Sequence, residues 1–88
     1  MNTYIITYDL MAPGKDYNNL YTAIKSCGAW AKVVYSTWAI KTDLSAVQVR
    51  DYLIQHMDAN DRLFVIKSGR EAAWRGTICN GEWLQNNL

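Results

Sequence analysis

The order of strand-like and helix-like patterns limits the fold of this chain more than any other feature. Runs rich in β-branched and aromatic residues predict four strands, and apolar residues at helical spacing predict two helices between them. The predicted strands cover residues 3–8, 30–35, 37–42 and 62–67. The chain therefore has the predicted order strand, helix, strand, strand, helix, strand.

Each predicted helix begins near residues suited to cap it. Asp16 can accept hydrogen bonds from the free amides of the first helix, and Ser45 with Gln48 forms a capping-box pattern for the second. Gly28 follows the first helix, where a positive φ is often needed. The apolar stripes are Leu20, Ala23, Ile24 and Cys27 in the first helix, and Val49, Tyr52, Leu53, His56 and Met57 in the second.

Two residues on these stripes carry reactive groups. Cys27 lies where a small buried thiol is the ordinary occupant of a helix. His56 lies on the stripe of the second helix, and we expect it to be a partly buried structural histidine rather than a general base.

This order of elements is that of the split βαβ, or ferredoxin-like, sandwich, an α+β fold. Right-handed crossovers place both helices on one face of a four-stranded antiparallel sheet. The other face would be bare, so we expect that face or a sheet edge to meet a second copy of the chain. We expect a tight or bulged turn between the second and third strands, with one long bent strand as the alternative.

The C-terminal part of the chain has a weaker pattern. Because 88 residues make one domain, we expect a single domain over 1–88, with a core at 1–67 and an extension at 68–88. Residues 82–88 predict a short helix, which could begin as early as Thr77 or Asn80. Asn80-Gly81 is also typical of a hairpin turn, and this alternative stays open.

The charges nearly balance, with nine Lys and Arg against eight Asp and Glu and a formal net charge of +1. Binding of duplex DNA through overall charge is therefore not expected, and a nucleic-acid contact needs a local patch, a dimer groove or a metal. Two cysteines and one histidine are too few for a zinc site within one chain. The first residues lack the basic start and long apolar run of a secretion signal, so we expect a cytoplasmic location and no membrane partner.

Asp9 is the acidic residue that the predicted fold places most clearly. It ends the first strand just before a loop that contains Pro13 and Gly14, at an edge where side chains project into a cleft. One carboxylate holds Mg²⁺ poorly, but two related by a dimer axis could share the ion with waters and a phosphate. The alternative is that Asp9 accepts hydrogen bonds from loop amides.

Several lysines and hydroxyls could form a local phosphate-binding patch. Lys15, Lys25 and Lys32 could reach phosphates from the first loop, the first helix and the second strand, unless they are simply solvated. Ser36 and Thr37 offer hydroxyls to a phosphate or to a metal-bound water, although turn formation explains them equally well.

Four aromatic residues could stack on unpaired bases: Trp30, Tyr35, Trp38 and Trp74. Trp38 lies inside an apolar strand, where a core or dimer-interface position is the more usual one. Trp74 lies in the weakly patterned region, with Arg70 and Arg75 nearby. We therefore expect Trp74 to be the better exposed candidate.

Three stretches of this chain occur together with a distinctive spacing. They are Tyr8-Asp9-Leu10 at the end of the first strand, the first helix with its terminal Gly28, and Tyr35-Ser36-Thr37-Trp38 leading into the third strand. Together they resemble the CRISPR-associated protein 2 family and its small stand-alone relatives, often labelled the SinR family, over residues 1–67. The resemblance implies a ferredoxin-like fold, a homodimer and, in some members, metal-dependent cleavage of RNA or DNA. Other members are structural subunits of the spacer-integration complex.

The resemblance also assigns roles to particular residues. Asp9 matches the metal-binding aspartate that meets its symmetry mate across the dimer, and Ser36 matches the serine before the third strand. Residues 13–17 replace the arginine-rich stretch of adaptation proteins, which favours a stand-alone relative.

From these features we expect a homodimer that binds RNA, DNA or a nucleotide in a cleft near Asp9. The expected binding residues are Tyr8, Lys15, Lys32, Ser36 and Trp74. One alternative is an Mg²⁺-dependent endoribonuclease that uses Asp9 of both subunits. Another is a toxin-antitoxin-like or host-defence-related regulator.

Overall fold

A computed structural model describes all 88 residues of the chain. Its elements are β1 (Asn2–Asp9), α1 (Asn18–Ser26), β2 (Ala29–Val34), β3 (Thr37–Thr42), α2 (Ala46–Ile54), β4 (Arg62–Lys67) and α3 (Gly81–Asn87). The four strands form one sheet in the order β2-β3-β1-β4, and every neighbouring pair is antiparallel. The predicted ferredoxin-like α+β architecture is confirmed.

The main core lies between the sheet and the first two helices, on what we call the helix face. Successive side chains of a strand alternate between the two faces of a sheet, so Tyr4, Ile6 and Tyr8 of β1 share the helix face. Tyr4 lies opposite Ile40 and Ile6 opposite Trp38 in the antiparallel register. The buried helix residues against them are Leu20, Ala23 and Ile24 of α1 and Val49 and Leu53 of α2.

The starts of α1 and α2 differ in how they are capped. At α2 the predicted capping box is present, because Ser45 Oγ accepts from the Gln48 amide and Gln48 Oε1 accepts from the Ser45 amide. At α1 the cap position is Tyr17, whose side chain makes no capping bond. Asp16, expected as the cap, lies one residue earlier, although its Oδ1 does accept from the Asn18 amide at 2.9 Å.

The end of α2 corrects a second prediction. The helix ends at Ile54, so His56 and Met57 lie in the turn that follows it rather than on its stripe. His56 is half-buried as expected, with its ring edge against Tyr52 at a centroid distance of 5.6 Å. Cys27 is also half-buried as expected, and burial raises the pKa of its thiol.

Gly28 allows β2 to start directly after α1. Its φ is +156°, and a Cβ at this position would collide with the carbonyl oxygen of Lys41 on β3. Only glycine permits this close approach without a shift of the backbone. The tight turn at Tyr35-Ser36 and an irregularity between Lys32 and Val34 then match the expected bulged hairpin. The alternative of one long bent strand is wrong.

The C-terminal extension packs on the face of the sheet opposite α1 and α2, which we call the open face. Thr3 Oγ1 donates to the Asn87 carbonyl at 2.5 Å, and the Ile78 amide donates to the Val33 carbonyl at 2.8 Å. Leu84 of α3 is only 1% exposed. Two small residues that the strand alternation places on the open face, Ala31 and Ala39, are buried as well.

The helix α3 begins at the Asn-Gly pair. Asn80 Oδ1 accepts from the Glu82 amide at 2.9 Å, so Asn80 caps a helix and the hairpin alternative is wrong. The expectation of a bare open face is also wrong, because the extension covers part of that face. Phe64 and Ile66 of β4 stay 56% and 49% exposed. None of the helices has the length and apolar character needed to span a membrane.

Candidate functional site

Asp9 lies at the rim of the sheet, where β1 ends beside the edge strand β4. Its partner in the register is Arg62, and Asp9 Oδ2 is 3.8 Å from Arg62 Nη1. Both side chains are more than half exposed, so this ion pair contributes little to stability and does not hold the carboxylate in one place. Asp9 also lines a shallow hollow of about 210 Å³ together with Phe64, beside the uncovered part of the open face.

A larger hollow, which we call the Asp9 cleft, lies at the same end of the sheet between the end of β1, α1 and the β2–β3 turn. Its volume is about 550 Å³. It brings together four of the six predicted site residues, namely Tyr8, Asp9, Lys32 and Ser36. Its other lining residues are Leu10, Met11, Tyr21 and Tyr35.

Lys32 is the cation of the Asp9 cleft. Its half-buried side chain places Nζ 5.2 Å from the ring centre of Tyr35, 5.3 Å from that of Trp38 and 5.8 Å from that of Tyr21. None of the three ion pairs of the chain includes Lys32. Ring faces attract an ammonium group but do not neutralise its charge. Lys32 therefore places a positive charge among aromatic surfaces, in a cleft whose one carboxylate, Asp9, pairs with Arg62 instead.

The wall of the Asp9 cleft is held by a buried hydrogen bond. Trp38 Nε1 donates to the Tyr8 hydroxyl oxygen at 2.9 Å, and burial raises the pKa of Tyr8. The Tyr8 hydroxyl is therefore protonated at neutral pH and lies in a fixed position. Trp38 itself is buried in the core, so it cannot stack on a base, and the core alternative for this residue is confirmed.

A cluster around Asp61 anchors the loop that follows Asp9. Asp61 Oδ1 accepts from the Met11 amide at 2.6 Å and from the Tyr17 hydroxyl at 2.9 Å, and its Oδ2 accepts from the Asp58 amide at 2.7 Å. Partial burial by itself would raise the pKa of Asp61. The amide hydrogen bonds, the Tyr17 hydroxyl and the charge of Lys15 outweigh burial and lower it.

Sequence patterns did not reveal Asp61 as a site residue. Its position after Asp58, Ala59 and Asn60 indicated only the end of a helix. The amide that it binds in the first loop lies 50 residues earlier in the chain, so only the tertiary structure shows the connection.

Two predicted binding residues lie outside the Asp9 cleft. Lys15 is exposed and places Nζ over the Tyr17 ring at 5.3 Å. Trp74 is 40% exposed and belongs to the C-terminal extension, where a Cβ added at Gly81 would lie 3.0 Å from Trp74 Nε1. The structure therefore does not bring Lys15 or Trp74 to the lining of this cleft.

Lys25, the third lysine of the expected patch, lies on α1 outside the Asp9 cleft. Its Nζ is 4.8 Å from the ring centre of Trp30, which is 43% exposed on the edge strand β2. Lys25 does not line the cleft, so Lys32 is the only one of the three lysines that does. The expected patch of three lysines around one cleft is therefore not formed.

The donor groups of one protomer do not fit a magnesium site. No three His, Cys, Asp or Glu side chains are grouped so that they could hold a metal ion. Asp9 is the single carboxylate among the residues that line the Asp9 cleft. Mg²⁺ needs further oxygen ligands, so a metal at Asp9 requires a second chain or a phosphate ligand.

No known protein-family model matches this chain.

Proposed function

We propose that this protein binds nucleic acid or a nucleotide in the Asp9 cleft, with a phosphate at Lys32 and a base against the aromatic residues. The observation that supports this most strongly is the half-buried Lys32 ammonium, which has three aromatic rings around it and no acidic partner. A phosphate supplies the negative charge that these rings lack. The Ser36 hydroxyl in the same cleft can donate to a phosphate oxygen.

Tyr35 provides the surface for a base. Its side chain is 85% exposed beside Lys32, at the tip of the β2–β3 turn. Stacking of an unpaired base on an aromatic ring is worth roughly 1 to 3 kcal/mol. Because the chain has a net charge of only +1, this local arrangement rather than the overall field provides the affinity. Single-stranded RNA and mononucleotides suit such a cleft better than duplex DNA.

The resemblance to the CRISPR-associated protein 2 family also supports a binding site at this end of the molecule. Tyr8-Asp9-Leu10 and the stretch from Tyr35 to Trp38 lie next to each other in space, because β1 and β3 are neighbours in the sheet. The family members that bind nucleic acid do so as homodimers.

We propose that this chain also forms a homodimer, through the uncovered part of its open face. Phe64 and Ile66 form an exposed apolar surface there, with Asp9 and Arg62 beside them. A two-fold axis through such a surface pairs each patch with itself. It also brings Asp9 and Arg62 of both protomers close to the same seam, so each carboxylate there has an arginine beside it.

Binding is tested with fluorescein-labelled single-stranded RNA and with adenosine monophosphate, by fluorescence anisotropy and calorimetry. Lys32→Met keeps the apolar stem among the rings and removes the charge, and we expect it to weaken binding by about tenfold or more. Lys25→Met is the matched control, since Lys25 also lies over a tryptophan ring but outside the cleft, and we expect a change below about twofold. Equal effects of the two variants would refute the proposed site.

A second candidate function is metal-dependent cleavage of RNA. It is favoured by the position of Asp9 next to the proposed dimer surface, where two protomers could bring two carboxylates together. Labelled RNA with Mg²⁺ or Mn²⁺ tests it. We expect Asp9→Asn to abolish cleavage and Asp51→Asn, a change at an exposed carboxylate on α2, to retain it. Cleavage that persists in Asp9→Asn would exclude this candidate and leave the binding proposal intact.

A further inference from the structure

A second cleft lies at the other end of β1, where the C-terminal extension meets the sheet. This tail cleft has a volume of about 440 Å³, and the residues that line it include Lys41, Lys67, Arg70 and Asn86. It borders Thr3, whereas the first cleft borders Asp9. The six residue steps from Thr3 to Asp9 along β1 amount to about 20 Å, so the two clefts are separate sites.

The tail cleft carries an excess of positive charge. It contains three of the nine basic residues, and no acidic side chain lines it. None of the three takes part in an ion pair. If Leu88 carries the terminal carboxylate, an excess of two positive charges still remains. The amino group of Met1, also at this cleft, is paired with Asp43 at 3.6 Å.

Lys41 shows the imbalance most clearly. Its side chain is half-buried at the base of the cleft, and its Nζ donates only to the neutral Asn87 Oδ1, at a long 3.4 Å. A neutral amide at this distance does little to compensate the charge of an ammonium group. An anion in the tail cleft would compensate Lys41 and reduce the mutual repulsion of the three cations.

The tail cleft is built by contacts between distant parts of the chain. The Ser68 amide donates to the Thr3 carbonyl at 2.8 Å, so the residues after β4 are attached to the start of β1. Asn87 is held by Thr3 Oγ1 and by its own Nδ2, which donates to the Trp83 carbonyl at 2.7 Å. The backbone that carries the cations is therefore positioned by the fold.

We propose that the tail cleft binds a phosphate group. Arg70 can donate two parallel hydrogen bonds to phosphate oxygens, and Lys41 and Lys67 supply point charges. The Asn86 carboxamide can donate to a remaining oxygen. The phosphate belongs either to a nucleic-acid backbone or to a small phosphate compound. This site is independent of the Asp9 cleft, because it shares no lining residue with it.

NMR titration of ¹⁵N-labelled protein tests the proposal, with inorganic phosphate added while chloride keeps the ionic strength constant. We expect saturable shifts of the amides of Ser68, Gly69, Asn86 and Asn87. The double variant Lys67→Gln, Arg70→Gln should weaken binding by about tenfold or more. Arg75→Gln is the matched control, an exposed arginine of the same extension that does not line the cleft, and it should bind as the unaltered protein does.

Further titrations identify the source of the phosphate. If single-stranded RNA shifts the same amides, and the double variant lowers the salt slope of RNA binding by about 1.4, the phosphate belongs to a nucleic-acid backbone. If adenosine monophosphate and free phosphate shift them but RNA does not, the cleft serves a small phosphate compound. Both results support the proposal and distinguish its two sources.

The proposal is overturned if these amides do not shift saturably, if chloride or acetate shifts them equally, or if the double variant binds phosphate unchanged. As a second measurement, phosphate should raise the Tm of the unaltered protein but not that of the double variant. Lys32→Met should leave the tail-cleft shifts unaltered. The experiments therefore distinguish a result that refutes ligand binding in the Asp9 cleft from one that refutes phosphate binding in the tail cleft.

Discussion

The two faces of the sheet are closed in different ways. On the helix face, α1 and α2 bury a continuous set of aromatic and aliphatic side chains, and Ile6, Ile24 and Leu53 are fully buried. On the open face, the seven-residue helix α3 contributes one buried leucine, and Phe64 and Ile66 are left exposed. The helix face thus provides most of the stability, whereas the open face keeps an exposed apolar surface.

The groups of the proposed binding site lie at the rim between these faces. Asp9 ends β1, whose side chains contribute to both faces of the sheet. Lys32 lies on the edge strand β2, beside the β2–β3 turn. Neither side chain is fixed by an ion pair inside the core. The helix face therefore positions a rim whose charged side chains are exposed or half-buried.

The largest expected effect is a difference in the free energy of unfolding between leucine variants on the two faces of the sheet. Leu20→Ala removes a fully buried side chain from the helix face and should lower the free energy of unfolding by about 2 to 5 kcal/mol. Leu84→Ala also removes a buried leucine, but the short α3 can detach without unfolding the sheet, so we expect a loss below about 2 kcal/mol. Urea denaturation followed by tryptophan fluorescence measures both, and equal losses would contradict the distinction between the faces.

The next effect concerns the loop at the rim. Asp61→Asn weakens the bonds to the Met11 and Asp58 amides, and we expect a loss of about 1 kcal/mol at pH 7. The pKa of Asp61 is lowered by folding, so its stabilisation is present above the ordinary value of 3.8 and is lost as the pH falls through the folded value. Asp51→Asn is the control.

Urea titrations between pH 7 and pH 3 measure this effect. The stability difference between the unaltered protein and Asp61→Asn should shrink in the acidic part of this range. A difference that is independent of pH would show that the Asp61 charge does not hold the loop.

The helix face was predictable from sequence, and much of the open face was not. The alternation in Thr3 to Tyr8 and the Ser45–Gln48 capping box are local patterns, and each gave the right element. The burial of Leu84 depends on where the extension folds back, and a weak pattern between residues 68 and 80 does not specify that path. The Asn80-Gly81 pair fits both a turn and a helix start, so tertiary contacts decide between them.

The same limit applies to the candidate site. Asp9, Tyr8, Lys32 and Ser36 line one cleft because strand ends and turns at one end of a sheet come together in this topology, and whether they bind a ligand stays a prediction. Trp74 was selected as an exposed aromatic residue with Arg70 and Arg75 nearby, and the structure places it against α3 rather than at the cleft. Asp61 was missed because its hydrogen bonds span 44 and 50 positions of the chain.

The smallest expected effect on stability comes from a variant on the open face, which tests the proposed dimer. Ile66→Ser changes an exposed residue and should alter the free energy of unfolding by less than about 0.5 kcal/mol. It should nevertheless weaken the proposed dimer, which sedimentation at several concentrations measures. Ile54→Ser, at an equally exposed position on α2, should leave the dimer unchanged. A protein that sediments as one protomer at every concentration would remove the proposed interface.

NMR mapping of a bound single-stranded RNA tests most directly whether the rim at Asp9 is the binding site. The account predicts that the amides of Asp9, Leu10, Lys32 and Ser36 shift saturably, and that Lys32→Met suppresses these shifts while Lys25→Met retains them. RNA that binds but shifts only amides elsewhere, or RNA that shifts none at all, would contradict it.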